Sequence, residues 1–415
     1  MEISLALALL GGLVLIATRW HGVSMFSPWT LYTLGQFFTL SVAYLKLDPL
    51  MTDFSVVTWA VWAGSAVAFF AGNLAATLVP QSTLKPIQLV RVRSWWLWLW
   101  GVVGLYLFGT AMGLLKVGTW PVLARHPEDA RLAFQQTAFS TGLLQLSNWV
   151  LVAVLPLQAI MSRGWRRWLC CGLFLLAFCY GLLTGFRMIL MFGLFSTLMT
   201  WDFFVHRVAV FKLALALFAF LLLSTVVMLM RMEGTHLMRP GILHLGGEIF
   251  VKGAYIYIAN NFWNLDFAVS RQLGDHFHPQ TWGGLFFQPP LMVLGIASKI
   301  EPAYGWDTWR NDLSVKRAAL NTISFQWTVI KEWGWPGVVL FPFGLGAFAT
   351  RLYMRVERAR SQWAMLIYVP VAFSILFSFF LFMYQTPMYW MIGVCYFSLW
   401  LVTRESLPRP ASGEI

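Results

Sequence analysis

Arginines placed where few charges belong are the residues of this chain with the most chemical promise. One stands in Leu182-Leu183-Thr184-Gly185-Phe186-Arg187-Met188-Ile189-Leu190-Met191, within a run from Trp168 to Thr200 that holds no other charge. A charged side chain at mid-bilayer costs about 2.5–3.5 kcal/mol even on insertion scales, so Arg187 is either at an interface or at work. Arg131 follows Glu128-Asp129 in "TWPVLARHPEDARLAFQQTAFSTG", a few residues after Arg125. Arg271 opens "RQLGDHFHPQ", and Arg310, Lys316 and Arg317 lie in "WRNDLSVKRAALNTIS". The planar guanidinium fork suits phosphate or carboxylate, so several such residues invite a polyanionic ligand.

Proton transfer needs only reach and a suitable pKa. Asp275, His276, His278 and Glu248 are the candidate bases, with Asp266 a further rival, and the sequence does not choose among them. Two histidines at i and i+2 with one aspartate make a poor metal set, so no metal is expected. Trp263 and Trp282 are candidates to stack on sugar rings, at even odds with plain packing. Each arginine also has a plainer reading. Arg187 can snorkel to head groups from a helix end, Arg131 can make surface ion pairs worth at most about 1 kcal/mol, and Lys316 and Arg317 can touch lipid phosphates.

The elements that must position these residues are apolar. Of 415 residues 59% are hydrophobic and only 11% charged, against about 25% charged in an average soluble domain, which makes this a polytopic membrane protein. Runs long enough to span can be drawn at Ile3–Thr18, Phe26–Leu45, Val56–Val79, Trp95–Leu115, Leu143–Met161, Trp168–Leu183, Met188–Val205, Val208–Met230, Trp333–Thr350, Ala364–Tyr384 and Met388–Val402. That predicts an all-α protein of about eleven transmembrane helices in a single integral membrane domain over residues 1–415. Glu2 precedes the first run where a signal peptide would carry basic residues, so that run is kept as a span.

Alternate connections collect the basic residues: Arg19; Lys85, Arg91 and Arg93; Arg163, Arg166 and Arg167; Arg207 and Lys212; Arg351, Arg355, Arg358 and Arg360; Arg404 and Arg409. By the positive-inside rule these face the cytoplasm, with the N-terminus outside and the C-terminus inside. Much of the net charge of +12 is then a topology signal and not a nucleic-acid footprint. Two outer connections are too long to be turns, residues 116–142 and 231–324, and loops of that length inside compact proteins are usually functional. In the second, Glu248–Gln272 reads as a helix or broken pair. Leu285–Ala297, too short to cross and interrupted by Pro289-Pro290, reads as interfacial or re-entrant. Internal repeats, the mark of many transporters, are absent.

The loop "GTWPVLARHPEDARLAF", the junction "TGFRMIL", the helix "YIYIANNFWNLD" and the segment "NTISFQWTVIKEWGWPGVVLFPFGLGAF" together resemble the bacterial oligosaccharide repeat-unit polymerases, the O-antigen polymerase type. Arg131 followed by ten residues and Gly142 matches the R-x10-G pattern of some members. The second loop carries no clean copy, because Gly283 stands one position too far from Arg271. The resemblance implies a GT-C-like glycosyltransferase of the bacterial inner membrane, acting on the periplasmic face without cofactor, metal or nucleotide-sugar donor. It would move glycan from a polyprenyl diphosphate to the non-reducing end of a second lipid-linked repeat unit, alongside a chain-length regulator protein. Arg131, Arg187 and Arg317, with Arg271 and Arg310, would then hold the diphosphate. An O-antigen ligase transferring glycan to lipid A-core, a lipid-linked glycan transporter and a non-catalytic assembly subunit are the competing readings.

Overall fold

The structure is a computed structural model that describes residues 2–47, 53–80, 93–135, 144–209, 254–275, 322–380 and 382–403, with scattered positions between 211 and 291. Every regular element among the described residues is helical. In chain order they are α1 (Glu2–Trp20), α2 (Pro28–Tyr32), a π-helical stretch (Thr33–Phe38), α3 (Thr39–Ala43), α4 (Val56–Leu78), α5 (Arg93–Val117), a 3-10 turn (Pro121–Leu123), α6 (Pro127–Gln135), α7 (Ser147–Met161), α8 (Trp165–Thr184), α9 (Arg187–Phe204), α10 (Ala254–Asp275), α11 (Phe325–Ala359), α12 (Gln362–Leu376), a second 3-10 turn (Met383–Gln385) and α13 (Pro387–Thr403).

Five of them, α1, α4, α5, α8 and α11, are long and apolar enough to cross a membrane, and α7, α12 and α13 are shorter apolar helices. The chain is a helical membrane protein. Ten of the eleven expected runs carry helix among the described residues, Val208–Met230 lying almost wholly outside them; α6 and α10 fall between the runs, and α12 ends at Leu376, short of the expected Tyr384. α11 extends beyond the expected Trp333–Thr350 at both ends, with a kink at Gly334 (φ 64°) between its first nine residues and the rest. The expected helix Glu248–Gln272 is observed as α10, with residues 248–253 outside the described set. Of Leu285–Ala297 only isolated positions are described.

The chain divides into two compact units. The first comprises Met1–Ser82, Gly247–Met354 and Pro370–Thr386. Its apolar core joins Val61 of α4, Leu265, Ala268 and Val269 of α10, and Trp327, Ile330 and Val338 of α11. Polar side chains stitch the same helices. Gln36, fully buried in the π-helical stretch, donates to the Ser378 hydroxyl (2.8 Å) and accepts from Trp62 Nε1 and Gln326 Nε2 (3.2 Å each). A π-bulge re-aims one side chain out of α-helical register. Gln36 is a fully buried amide in this stretch and needs partners, because an unsatisfied one costs about 1–3 kcal/mol.

The second unit comprises Thr83–Gly246, Arg355–Val369 and Pro387–Ile415. α7 is its central helix, buried from Ser147 to Ala159, with α5, α8, α9 and α13 packed around it. Asn148 on α7 donates to the carbonyl of Ala177 on α8 (3.0 Å), and Trp98 on α5 donates to Ser398 on α13 (3.0 Å). At the end of α9 the buried Asp202 accepts from Arg207 (2.9 Å) and from the Val208 amide (2.7 Å), and Arg207 also pairs with Glu357. Burial alone would lower the Arg207 pKa, but the two carboxylates more than offset it and the net shift is upward. Arg207→Ala strands a buried carboxylate. Its expected cost is about 2 kcal/mol, below the 3–5 of a fully buried pair because Arg207 is one third exposed, read as a fall in unfolding temperature in detergent.

Candidate functional site

The opening arginine is placed by a turn. α8 ends in Thr184-Gly185-Phe186, where Gly185 takes a left-handed conformation (φ 73°). The Phe186 amide donates to the Gly181 carbonyl (2.8 Å) and the Gly185 amide to that of Leu182 (3.2 Å), the double bond of a Schellman cap. A Cβ at Gly181 would meet Leu190 at 2.9 Å, so α9 folds back hard against α8. Leu190 is fully buried there, with Phe178, Leu182 and Leu194 around it. Arg187 is therefore the first residue of α9, half-buried at the head of an antiparallel pair, and not a charge in mid-span.

α6 reaches the same turn. Proline suits the first helical position, where the lost N–H has no helical acceptor, and Pro127 begins α6. Three residues apart on one face, Arg131 and Phe134 are neighbours. Phe134 is fully buried, against the place on α5 where a Cβ at Gly113 would touch its ring (2.7 Å). Arg131 is half-buried, its guanidinium carbon 5.9 Å from the centre of the Phe186 ring. Tyr180 of α8 secures the assembly: its ring meets Tyr106 (5.5 Å), Trp120 (6.4 Å) and Phe134 (6.4 Å), and its hydroxyl donates to Gln145 (3.2 Å). Residues 116–135 are thus folded over the helix ends, with Arg125 and His126 exposed beside them.

Two guanidiniums, at Arg187 and on the ring next to it, share this end of the unit with the N-terminus of α9. Phe186 supplies no side-chain cap to that terminus. A helix N-terminus already carries positive potential and disfavours a cation by about 0.3–1 kcal/mol, whereas an anion there is favoured. The arrangement suits a phosphate or diphosphate, held by forked donors and helix amides.

The other sequence candidates belong to the first unit or lie outside the described residues. Trp263 is only 7% exposed, tilted against Phe267 (5.8 Å). Arg271 and Asp275 lie near the end of α10, Asp275 as its last residue. Glu248, His276, His278, Trp282, Arg310, Lys316 and Arg317 fall outside the described residues. Asp266 plays a structural part. Its Oδ1 accepts from the Ser55 amide (2.7 Å) and the Thr58 hydroxyl (2.8 Å), tying α10 to the start of α4. Asp266→Ala is expected to cost about 1–3 kcal/mol of stability. Asp266→Asn, whose amide oxygen still accepts, should unfold within a few degrees of wild type and keep full activity. A general base would lose activity in the asparagine variant at unchanged stability.

Glu332 is the residue that sequence reading passed over. It is fully buried on α11 and accepts from the Phe286 amide (2.6 Å), with Lys331 beside it over the Trp327 ring (5.6 Å). An ionisable group inside a membrane helix is a functional candidate by default. A span drawn from Trp333 begins one residue past Glu332, and "IKEWGW" read as helix takes it in. No family model, curated protein or solved structure matches the chain.

Proposed function

We propose that this protein is an inner-membrane glycosyltransferase that polymerises polyprenyl-diphosphate-linked oligosaccharide repeat units, transferring glycan from one lipid diphosphate to the non-reducing end of a second. The observation that carries the reading is the placement of Arg131 on Phe186, directly before Arg187. In such a reaction an acceptor hydroxyl oxygen bonds to the donor's anomeric carbon. The bond from that carbon to the diphosphate breaks with its electron pair, and the hydroxyl proton passes to a base. Charge grows on the leaving diphosphate, so preorganised cationic donors there lower the barrier more than any other single device. Arg131 and Arg187 would supply them.

The proposal includes about eleven spans in a GT-C-like arrangement, the N-terminus outside, the C-terminus inside and the arginine pair on the periplasmic face. The basic connections support that orientation. Expression in a strain lacking its own repeat-unit polymerase tests the activity. A ladder of surface-polysaccharide lengths is expected. Single-repeat material alone would contradict it, and rescue of a ligase-deficient strain instead would assign the chain to transfer onto lipid A-core.

A further inference from the structure

At the opposite end of the second unit, the turn between α7 and α8 borders a cavity of about 390 Å3 lined by Trp96, Met161, Ser162, Arg163, Trp165 and Arg166. The Arg166 guanidinium lies over the rings of Trp96 (5.4 Å) and Trp165 (6.0 Å). A guanidinium held by cation–π contact still has N–H donors to offer an anion. Ser162 is 8% exposed and accepts from Gln158 Nε2 (3.2 Å), which leaves its own O–H to donate. Arg166 and Arg167 stand in the first turn of α8, where the helix dipole opposes cations, and that turn holds no acid. The ion pairs among the described residues lie elsewhere. An anion bound here would therefore meet arginines that no carboxylate among the described residues pairs with.

The rim says what brings it. Trp165 is 70% exposed and Trp168 76%, at the end of a helix long and apolar enough to span. Indoles so placed belong at a membrane interface, with their apolar faces toward acyl chains. We propose that this cavity binds the phosphate of an anionic phospholipid, with Arg163 and Arg166 on the phosphate oxygens and Trp96 and Trp165 against the glycerol and upper acyl chain. The site depends on the membrane location and not on the glycosyltransferase reading. Basic residues at a membrane surface favour anionic lipid additively, so two such contacts give a preference of about tenfold or more.

The test is native mass spectrometry of the purified full-length protein in detergent, with equal concentrations of phosphatidylglycerol and phosphatidylcholine. One phosphatidylglycerol is expected to be retained, about tenfold over phosphatidylcholine. Arg163→Gln with Arg166→Gln should reduce it to the phosphatidylcholine level, while Arg355→Gln with Arg358→Gln leaves it unchanged. Trp165→Ala, an exposed position whose loss leaves the core intact, should lower retention several-fold and keeps the test open if the glutamine pair does not fold. Equal retention of both lipids, or retention indifferent to Arg163, Arg166 and Trp165, would overturn the proposal. So would displacement of the lipid by an equal concentration of inorganic phosphate, which would mark a free-anion site.

Discussion

Arg187→Ala and Arg187→Lys are both expected to lose the polymer ladder at wild-type membrane levels, leaving single-repeat material. Removing one preorganised donor from a developing anion typically costs about 100- to 1,000-fold in rate, equivalent to about 2.7–4 kcal/mol. Lysine keeps the charge but not the fork, so its failure would identify two-point recognition of phosphate rather than simple attraction. Arg187 heads α9 behind the Gly185 turn and is half-buried, so the replacements should leave the α8–α9 pair intact, checked by an unchanged unfolding temperature. If both variants polymerise like wild type, Arg187 is a snorkelling helix end.

The largest effect on stability is expected at Gly72 and Gly346. A Cβ on Gly72 of α4 would overlap the Phe343 carbonyl of α11, and a Cβ on Gly346 of α11 would overlap the Phe69 carbonyl of α4. Each glycine admits the other helix's backbone, and a backbone carbonyl cannot swing aside as a side-chain tip can. Overpacking costs about 1–3 kcal/mol even where a core yields. Close backbone contact through small residues is what holds helices together in lipid, where burial of apolar surface gives little. Gly72→Leu and Gly346→Leu should fail to accumulate as monodisperse protein in fluorescence-detected size exclusion. Gly344, two residues before Gly346 with nothing within 4 Å of its Cβ, is the control. Gly344→Ala should be tolerated or gain up to about 1 kcal/mol from helix propensity. A Gly72→Leu variant as stable as wild type would show that α4 and α11 are not packed this way.

These cases also show what the sequence makes legible. Apolar runs carry their own signal, so the long apolar helices fall where hydropathy draws them, while α6 and α10 do not; "LLTGFRM" announces a turn because glycine after a helix favours the left-handed cap. Arg187 and Arg131 were visible as charges out of place. Their neighbourhood was not, because the cation–π contact joins positions 131 and 186 and depends on how Phe134 and Tyr180 dock α6. The same holds for Gln36, whose partners are Trp62, Gln326 and Ser378, and for Asp266, whose hydrogen bonds reach back to Ser55 and Thr58. Asp266, a rival base on sequence alone, makes hydrogen bonds to Ser55 and Thr58 that only the fold reveals. Glycines look alike along a helix, and only the facing backbone separates Gly72 and Gly346 from Gly344.

The most direct test of the central claim is turnover by the purified protein. Reconstituted with a synthetic polyprenyl-diphosphate repeat unit as the sole substrate, it should release polyprenyl diphosphate and build lipid-linked dimers and longer chains without nucleotide sugar, with Arg187→Lys reduced about 100-fold or more. Intact substrate after prolonged incubation with folded protein, or release equally fast with Arg187→Lys, would contradict an enzyme built around this arginine.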